Sequence, residues 1–160
     1  MKVVFVNQEG GISILHPVLT EGLTLEHVIK KDIPEGVQYW VVNDDDIPTD
    51  RHFRDAWEVN TRKNASQRIK VNMEKAIEIQ RNNIRRERNA ELKRLDTEFM
   101  KALEKGDSAL ANSIAEKKQM LRDAPASPLF EACKTQEELK NIDLNTIMYY
   151  AMEAKKKNAT

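Results

Sequence analysis

The run Ser66–Lys105, SQRIKVNMEKAIEIQRNNIRRERNAELKRLDTEFMKALEK, contains neither proline nor glycine. Strong helix formers dominate it, so it reads as one continuous helix, roughly 60 Å long if helical throughout. Its apolar positions are Ile69, Met73, Ala76, Ile77, Ile84, Leu92, Leu95, Phe99, Ala102 and Leu103. Most intervals are three, four or seven, which is a coiled-coil-like seam. The seam breaks at Arg85-Arg86-Glu87-Arg88-Asn89-Ala90-Glu91, where almost nothing is apolar and Glu–Arg pairs three and four apart support an exposed helix.

Downstream, Lys105-Gly106-Asp107 is a helix stop and restart: Gly106 suits the left-handed position after a helix, and Asp107 or Ser108 caps the next one. Leu110, Ile114 and Leu121 then form a seam that folds back on Leu92–Leu103 as an antiparallel hairpin. On this reading the middle of the long helix stays uncovered by its own chain. Asp123-Ala124-Pro125-Ala126-Ser127-Pro128 is a linker with two prolines, and Leu129–Cys133 is a helical turn. Thr135-Gln136-Glu137-Glu138 is a capping box, and Asp143 or Asn145 opens a last helix with Leu144, Ile147, Met148, Ala151 and Met152 on one side. Lys155–Lys157 complement that helix's C-terminal dipole, and the tail beyond them is expected to fray.

Upstream lies a different pattern. Lys2–Val6 (KVVFV) and Ile12–Leu15, separated by Glu9-Gly10-Gly11, read as a hairpin, with Val18 extending the second strand and Pro17 near its end. Thr24 caps a short helix, LEHVIKKDI, and Val37–Asn43 (VQYWVVN) is the strongest strand signal. Asp50 is expected to cap another short helix, RHFRDAW, with Phe53, Ala56 and Trp57 on its apolar face. The fold class is therefore α+β: a small N-terminal ββαβ unit, then a long helical hairpin and short C-terminal helices. The divisions are a head (1–60), the antiparallel hairpin (61–123), and a linker with C-terminal helices (124–160).

The chain of 160 residues is 40% apolar and 32% charged, too polar for one thick core and suited to a small folded part joined to exposed helices. Its net charge of zero hides an asymmetry: residues 1–60 hold 5 Lys/Arg against 11 Asp/Glu, and residues 61–122 hold 16 against 9. An acidic head beside a basic shaft can steer docking. No apolar run is long enough for a membrane span, and the N-terminus does not read as a secretory signal. The expected compartment is reducing and intracellular, or a particle assembled there. Cys133 is the only cysteine, which excludes an internal disulfide framework. Asn64-Ala65-Ser66 fits a glycosylation pattern that means nothing without secretion.

Catalytic chemistry finds no assembled constellation in the sequence. His16, His27 and His52 fall on three different elements without ligand spacing, and Asp44-Asp45-Asp46 with Asp50 lacks the alternating loop and distal Glu of an EF-hand. No glycine-rich phosphate loop follows a strand. The expectation is a non-enzymatic binding protein without cofactor or metal. Arg81, Arg85, Arg86 and Arg88, with Asn82, Asn83 and Asn89, form a basic patch that could track phosphates, so an alternative is a nucleic-acid-binding accessory protein. Without interleaved aromatics and with acids close by, a protein-facing surface is favoured. The residues expected to bind a partner are Ile77, Ile84, Arg85, Arg88, Leu92 and Leu95.

Two local patterns carry a resemblance. One is Asp50-Arg51-His52-Phe53-Arg54-Asp55-Ala56-Trp57, followed by Met73-Glu74-Lys75-Ala76. The other is Leu121-Arg122-Asp123-Ala124-Pro125, followed by Thr135 and Glu138-Leu139. Their order resembles small proteins encoded in bacteriophage and prophage tail modules: tail proteins, tail assembly chaperones and tail-fibre assembly proteins. The resemblance runs from about Asp50 to Leu139 and does not cover the ββαβ head. The chain departs from those chaperones at Lys118-Gln119-Met120, where an aromatic-led YRQALRD-like run is typical. The resemblance implies a phage tail or tail-fibre-associated protein, structural in the virion or assisting its assembly, that forms homo-oligomers and contacts other tail or fibre proteins.

Overall fold

Alternating β-branched residues build the first sheet. β1 (Lys2–Val6) and β2 (Ile12–Leu15) form an antiparallel hairpin, and β3 (Tyr39–Val42) pairs with the other side of β1, giving the order β2-β1-β3. Gly10 closes the hairpin with φ of +79°, and the Asn7 side chain accepts the Gly11 N–H at 2.9 Å. Between β2 and β3 lies α1 (Leu25–Asp32), capped by Thr24, whose hydroxyl accepts the His27 N–H while its own N–H donates to the His27 ring. The ββαβ order expected from sequence is the order observed, and the class is α+β. The computed structural model describes residues 1–62 and 67–158, and the chain divides into two compact units, Met1–Ala76 and Ile77–Thr160.

Register explains the core of the first unit. Val4 faces Ile14 on one side and Trp40 on the other, and Val6 faces Ile12. Since side chains alternate along a strand, Val4, Ile12, Ile14, Trp40 and Val42 share one face. That face packs against Ile47, Trp57, Val59, Ile69 and Val71. The last four belong to a second hairpin, β4 (Trp57–Val59) with β5 (Ile69–Val71), in which Trp57 faces Val71 and Val59 faces Ile69.

This second hairpin corrects two expectations. RHFRDAW is not a helix: Arg54–Ala56 is a single 3-10 turn, Asp50 accepts the His52 N–H at 2.9 Å, and Trp57 begins β4. The long helix begins at Met73, capped by the Asn72 side-chain Oδ1, which accepts the Lys75 N–H, so Ile69 is a strand residue and not part of a helical seam. Ile69 is fully buried. Burying an isoleucine is worth about 1.5–3 kcal/mol, whereas helix propensities differ by only tenths per residue, so packing decides the local structure. The Asn64-Ala65-Ser66 pattern and the expected helix start at Ser66 lie outside the described residues, as does the tail beyond Asn158.

The second unit is helical. α2 (Met73–Glu104) ends where Asp107 N–H bonds the Ala102 carbonyl and Gly106 N–H bonds the Leu103 carbonyl, a paired closure that needs Gly106 at φ +72°. α3 (Ser108–Asp123) starts with Asp107 accepting the Leu110 N–H at 2.9 Å. The two helices are antiparallel, as expected: Glu91 meets Lys117, Asp96 meets Lys118, and Arg88 reaches the Arg122 carbonyl. A 3-10 turn at Ala124–Ala126 leads to α4 (Leu129–Ala132), α5 (Gln136–Lys140) and α6 (Leu144–Asn158). The Thr135–Glu138 capping box is present. One cluster of this unit's core comprises Leu95, Ala102, Ala111, Ile114, Leu121 and Met148.

The middle of α2 is covered on the side of Ile84 and Leu95, while Arg86, Glu87, Asn89 and Ala90 stay exposed. Ile84 is fully buried and Leu95 is 2% exposed. Gln80, one turn before Ile84, is itself buried and donates to the Ile142 carbonyl at 2.7 Å, and Arg81 bonds Glu131 at 2.6 Å while lying over the Phe130 ring. The C-terminal helices, expected as a separate segment after a linker, are packed into this unit. No helix among the described residues is long and apolar enough to cross a membrane.

Candidate functional site

The six residues expected to meet a partner divide by burial. Ile84 and Leu95 are sealed inside their own unit and are not available to a partner. Ile77, Arg85, Arg88 and Leu92 are half-buried. The basic patch is largely spoken for: Arg81 pairs with Glu131 and Glu78, and Arg85 with Glu78 at 2.6 Å. Arg86 bonds Asn83, and Arg88 bonds Asn89 at 3.1 Å and the Arg122 carbonyl. Two of the four guanidinium charges are thus neutralised by carboxylates, which weakens the phosphate-tracking reading.

What the structure assembles instead is a groove of about 740 Å³ between α2, α3 and α6. On α6, Leu144, Asn145, Met148, Tyr149 and Met152 line it, following i, i+1, i+4, i+5 and i+8 and therefore one side of the helix. Leu121 of α3 and Met148 are buried at its base. Tyr149 and Met152, on α6, remain 67% and 41% exposed. Across from α6, Glu87, Ala90, Glu91 and Arg94 of α2 and Lys117 of α3 form a charged wall.

That wall is braced. Arg94 grips Glu91 through two nitrogens, at 2.7 and 2.8 Å, and also bonds Glu98. Lys117 reaches the same Glu91 carboxylate at 3.2 Å. The hydrogen bonds from Arg94, with those from Lys117, hold the Glu91 carboxyl down to about 2 despite its partial burial. The Arg94 guanidinium is correspondingly held in its charged form. α6 is equally fixed. Asp143 accepts the Thr146 N–H at 2.7 Å, which lowers its own carboxyl pKa, and Lys155 pairs with Glu116 of α3 at 3.5 Å. A groove with rigid walls, an apolar base and a Tyr–Met rim has the composition of a protein-binding hot spot.

One wall of the groove is legible in sequence, since Leu144, Met148 and Met152 share one apolar side of the last helix. Tyr149 was missed. It lies beside that stripe, and the available signal was the pair Tyr149-Tyr150 on an otherwise satisfied amphipathic helix.

The remaining candidates have local roles. His27 completes the Thr24 cap, Asp46 accepts the Asn43 N–H, and Asp44 pairs with Lys2 and the N-terminal amine. The Cys133 thiol donates to the Leu129 carbonyl, and burial raises its pKa. Among the described residues, no three His, Cys, Asp or Glu side chains come together as a metal site would require. No protein-family model, curated protein or solved structure matches the chain.

Proposed function

We propose that this chain is a non-enzymatic bacteriophage tail or tail-fibre-associated protein that acts by docking a helix of another tail component in the α2–α3–α6 groove. The observation that carries the docking reading is Tyr149, 67% exposed beside a groove with a buried apolar base. Tyr149 and Met152 stand exposed one turn apart on α6 at this groove. The groove suits an amphipathic helix, which would lay its i, i+3, i+4 residues between Met148 and the Glu91–Arg94 wall. The tail assignment rests on the Asp50–Trp57 and Leu121–Pro125 patterns and their order. Copies of the chain are expected to gather on the symmetry axis of the tail.

The test is co-expression of the full chain with the tail and fibre proteins encoded beside it, with light scattering behind a sizing column. A stable complex with one of them, lost in Tyr149→Glu and Met152→Glu while the circular dichroism spectrum stays unchanged, is expected. Binding to none of these proteins, together with absence from purified particles and from assembly intermediates, would overturn the proposal. A defined oligomer that survives high salt points to a permanent part of the tail, and a monomer that binds only its partner points to an assembly factor.

A further inference from the structure

The order β2-β1-β3 leaves two sheet edges, and they differ. β2 runs into His16-Pro17, and proline near a strand end blunts an edge because it has no N–H to offer. β3, Tyr39-Trp40-Val41-Val42, carries no proline, no lysine and no other charge. On an edge strand, alternate residues aim their N–H and C=O groups away from the neighbouring strand. Among the described residues, the bonds of β3 are those to β1, and no further backbone or side-chain group bonds residues 39–42.

The strand is also held ready. Trp40 and Val42 pack into the core on one face, while Tyr39 and Val41 stand 45% and 48% exposed side by side on the other. A rigid, apolar, unpaired edge is the surface to which an extended chain adds, with main-chain hydrogen bonds supplying affinity and alternate side chains supplying selectivity.

Charge identifies the kind of chain. Residues 32–46 contain Asp32, Glu35, Asp44, Asp45 and Asp46 and no Lys or Arg. Among the described residues, Lys2 and the N-terminal amine pair with Asp44, and Lys30 of α1 borders Tyr39 from the helix side. Antiparallel pairing of β3 with β3 of a second copy would turn the Glu35 end of each strand towards the Asp45–Asp46 end of the other, which opposes that pairing. We propose that the outer edge of β3 is a strand-addition site for an extended segment of a different protein, β-branched in its middle and carrying Lys or Arg at both ends. This site is separate from the helical groove and stands whether or not that groove docks a helix.

The test uses the isotope-labelled full chain and a synthetic probe, Lys-Lys-Val-Thr-Val-Thr-Val-Lys-Lys. At saturating peptide, exchange of the outward amides among residues 39–42 is expected to slow by about tenfold or more. Affinity is expected to fall with rising salt and to drop about tenfold when the terminal lysines are replaced by glutamates. Tyr39→Asp should abolish binding while leaving tryptophan fluorescence unchanged. Unchanged exchange at 39–42, equal binding of the glutamate-ended peptide, or a dimer of the free chain with these amides already protected would each overturn the proposal.

Discussion

Replacing Ile84 with alanine tests whether α2 is covered at its centre. If the Arg85–Glu91 stretch marked an open helix, the substitution would sit on a half-wet surface and change stability by no more than about 0.5 kcal/mol. In the structure Ile84 is fully buried, and the two α2 residues one turn before it are tied to the C-terminal segment, Gln80 through the Ile142 carbonyl and Arg81 over the Phe130 ring. Removing three methyl or methylene carbons there loses their transfer free energy and leaves a cavity, and such substitutions cost about 2–5 kcal/mol. The expected loss is roughly 3 kcal/mol, about a hundredfold or more in the folding equilibrium of the helical unit. Urea unfolding followed by circular dichroism at the helix band reads it. Both tryptophans, Trp40 and Trp57, lie in the first unit, so their fluorescence follows that unit in the same samples. Met100→Ala is the control, on the same helix but 55% exposed, and should move the helix transition by no more than about 0.5 kcal/mol. Equal, small effects of the two substitutions would refute the burial of the α2 centre and restore Ile84 as a surface residue.

Glu91→Gln should cost about 1 kcal/mol at neutral pH, because its side chain is 26% exposed yet bonded to Arg94 and Lys117. Its carboxyl is lowered from 4.5 to about 2, so the stabilisation is fully present above pH 4.5 and is lost as pH falls towards 2; melts of both proteins across that window should converge at the acid end. Trp57→Phe should cost only about 1 kcal/mol against about 3–5 for Trp57→Ala, since among the described residues the buried indole N–H has no hydrogen-bond partner to lose; Trp40 fluorescence monitors both. Gly106→Ala should cost about 1 kcal/mol through its φ of +72° alone, because an added Cβ meets nothing within 4 Å; a larger loss in the helix melt would mean that the α2–α3 turn is crowded.

The parts of this fold that could be read from sequence are those decided locally. Thr24 and Thr135 sit three residues ahead of a side chain that bonds back, and Gly106 marks the only stop in a long helical run. β4 and β5 were hidden for the opposite reason. Each has three residues, they lie ten positions apart in sequence, and Ile69 stands at a spacing that also fits the α2 seam. Ile69 is buried with the face made by Val4, Ile12 and Trp40, which is assembled from strands far away in sequence.

The cover over Ile84 was hidden because it is partly polar. Hydrophobic spacing finds surfaces that meet through apolar side chains, whereas Gln80 meets a carbonyl and Arg81 meets a carboxylate and a ring. An arginine-rich stretch around one isoleucine therefore reads as an open face, although Arg81 and Arg85 are held by carboxylates and the isoleucine is buried. The same logic moves the candidate site to α6. There Ile147 and Met148 already satisfy the unit's own core, yet Tyr149 and Met152 add apolar surface at the groove. A helix needs one apolar stripe to join its fold. α6 carries more than that stripe, and the surplus lies beside a groove whose opposite wall is held rigid by three charges, which is why a second protein is the occupant to look for.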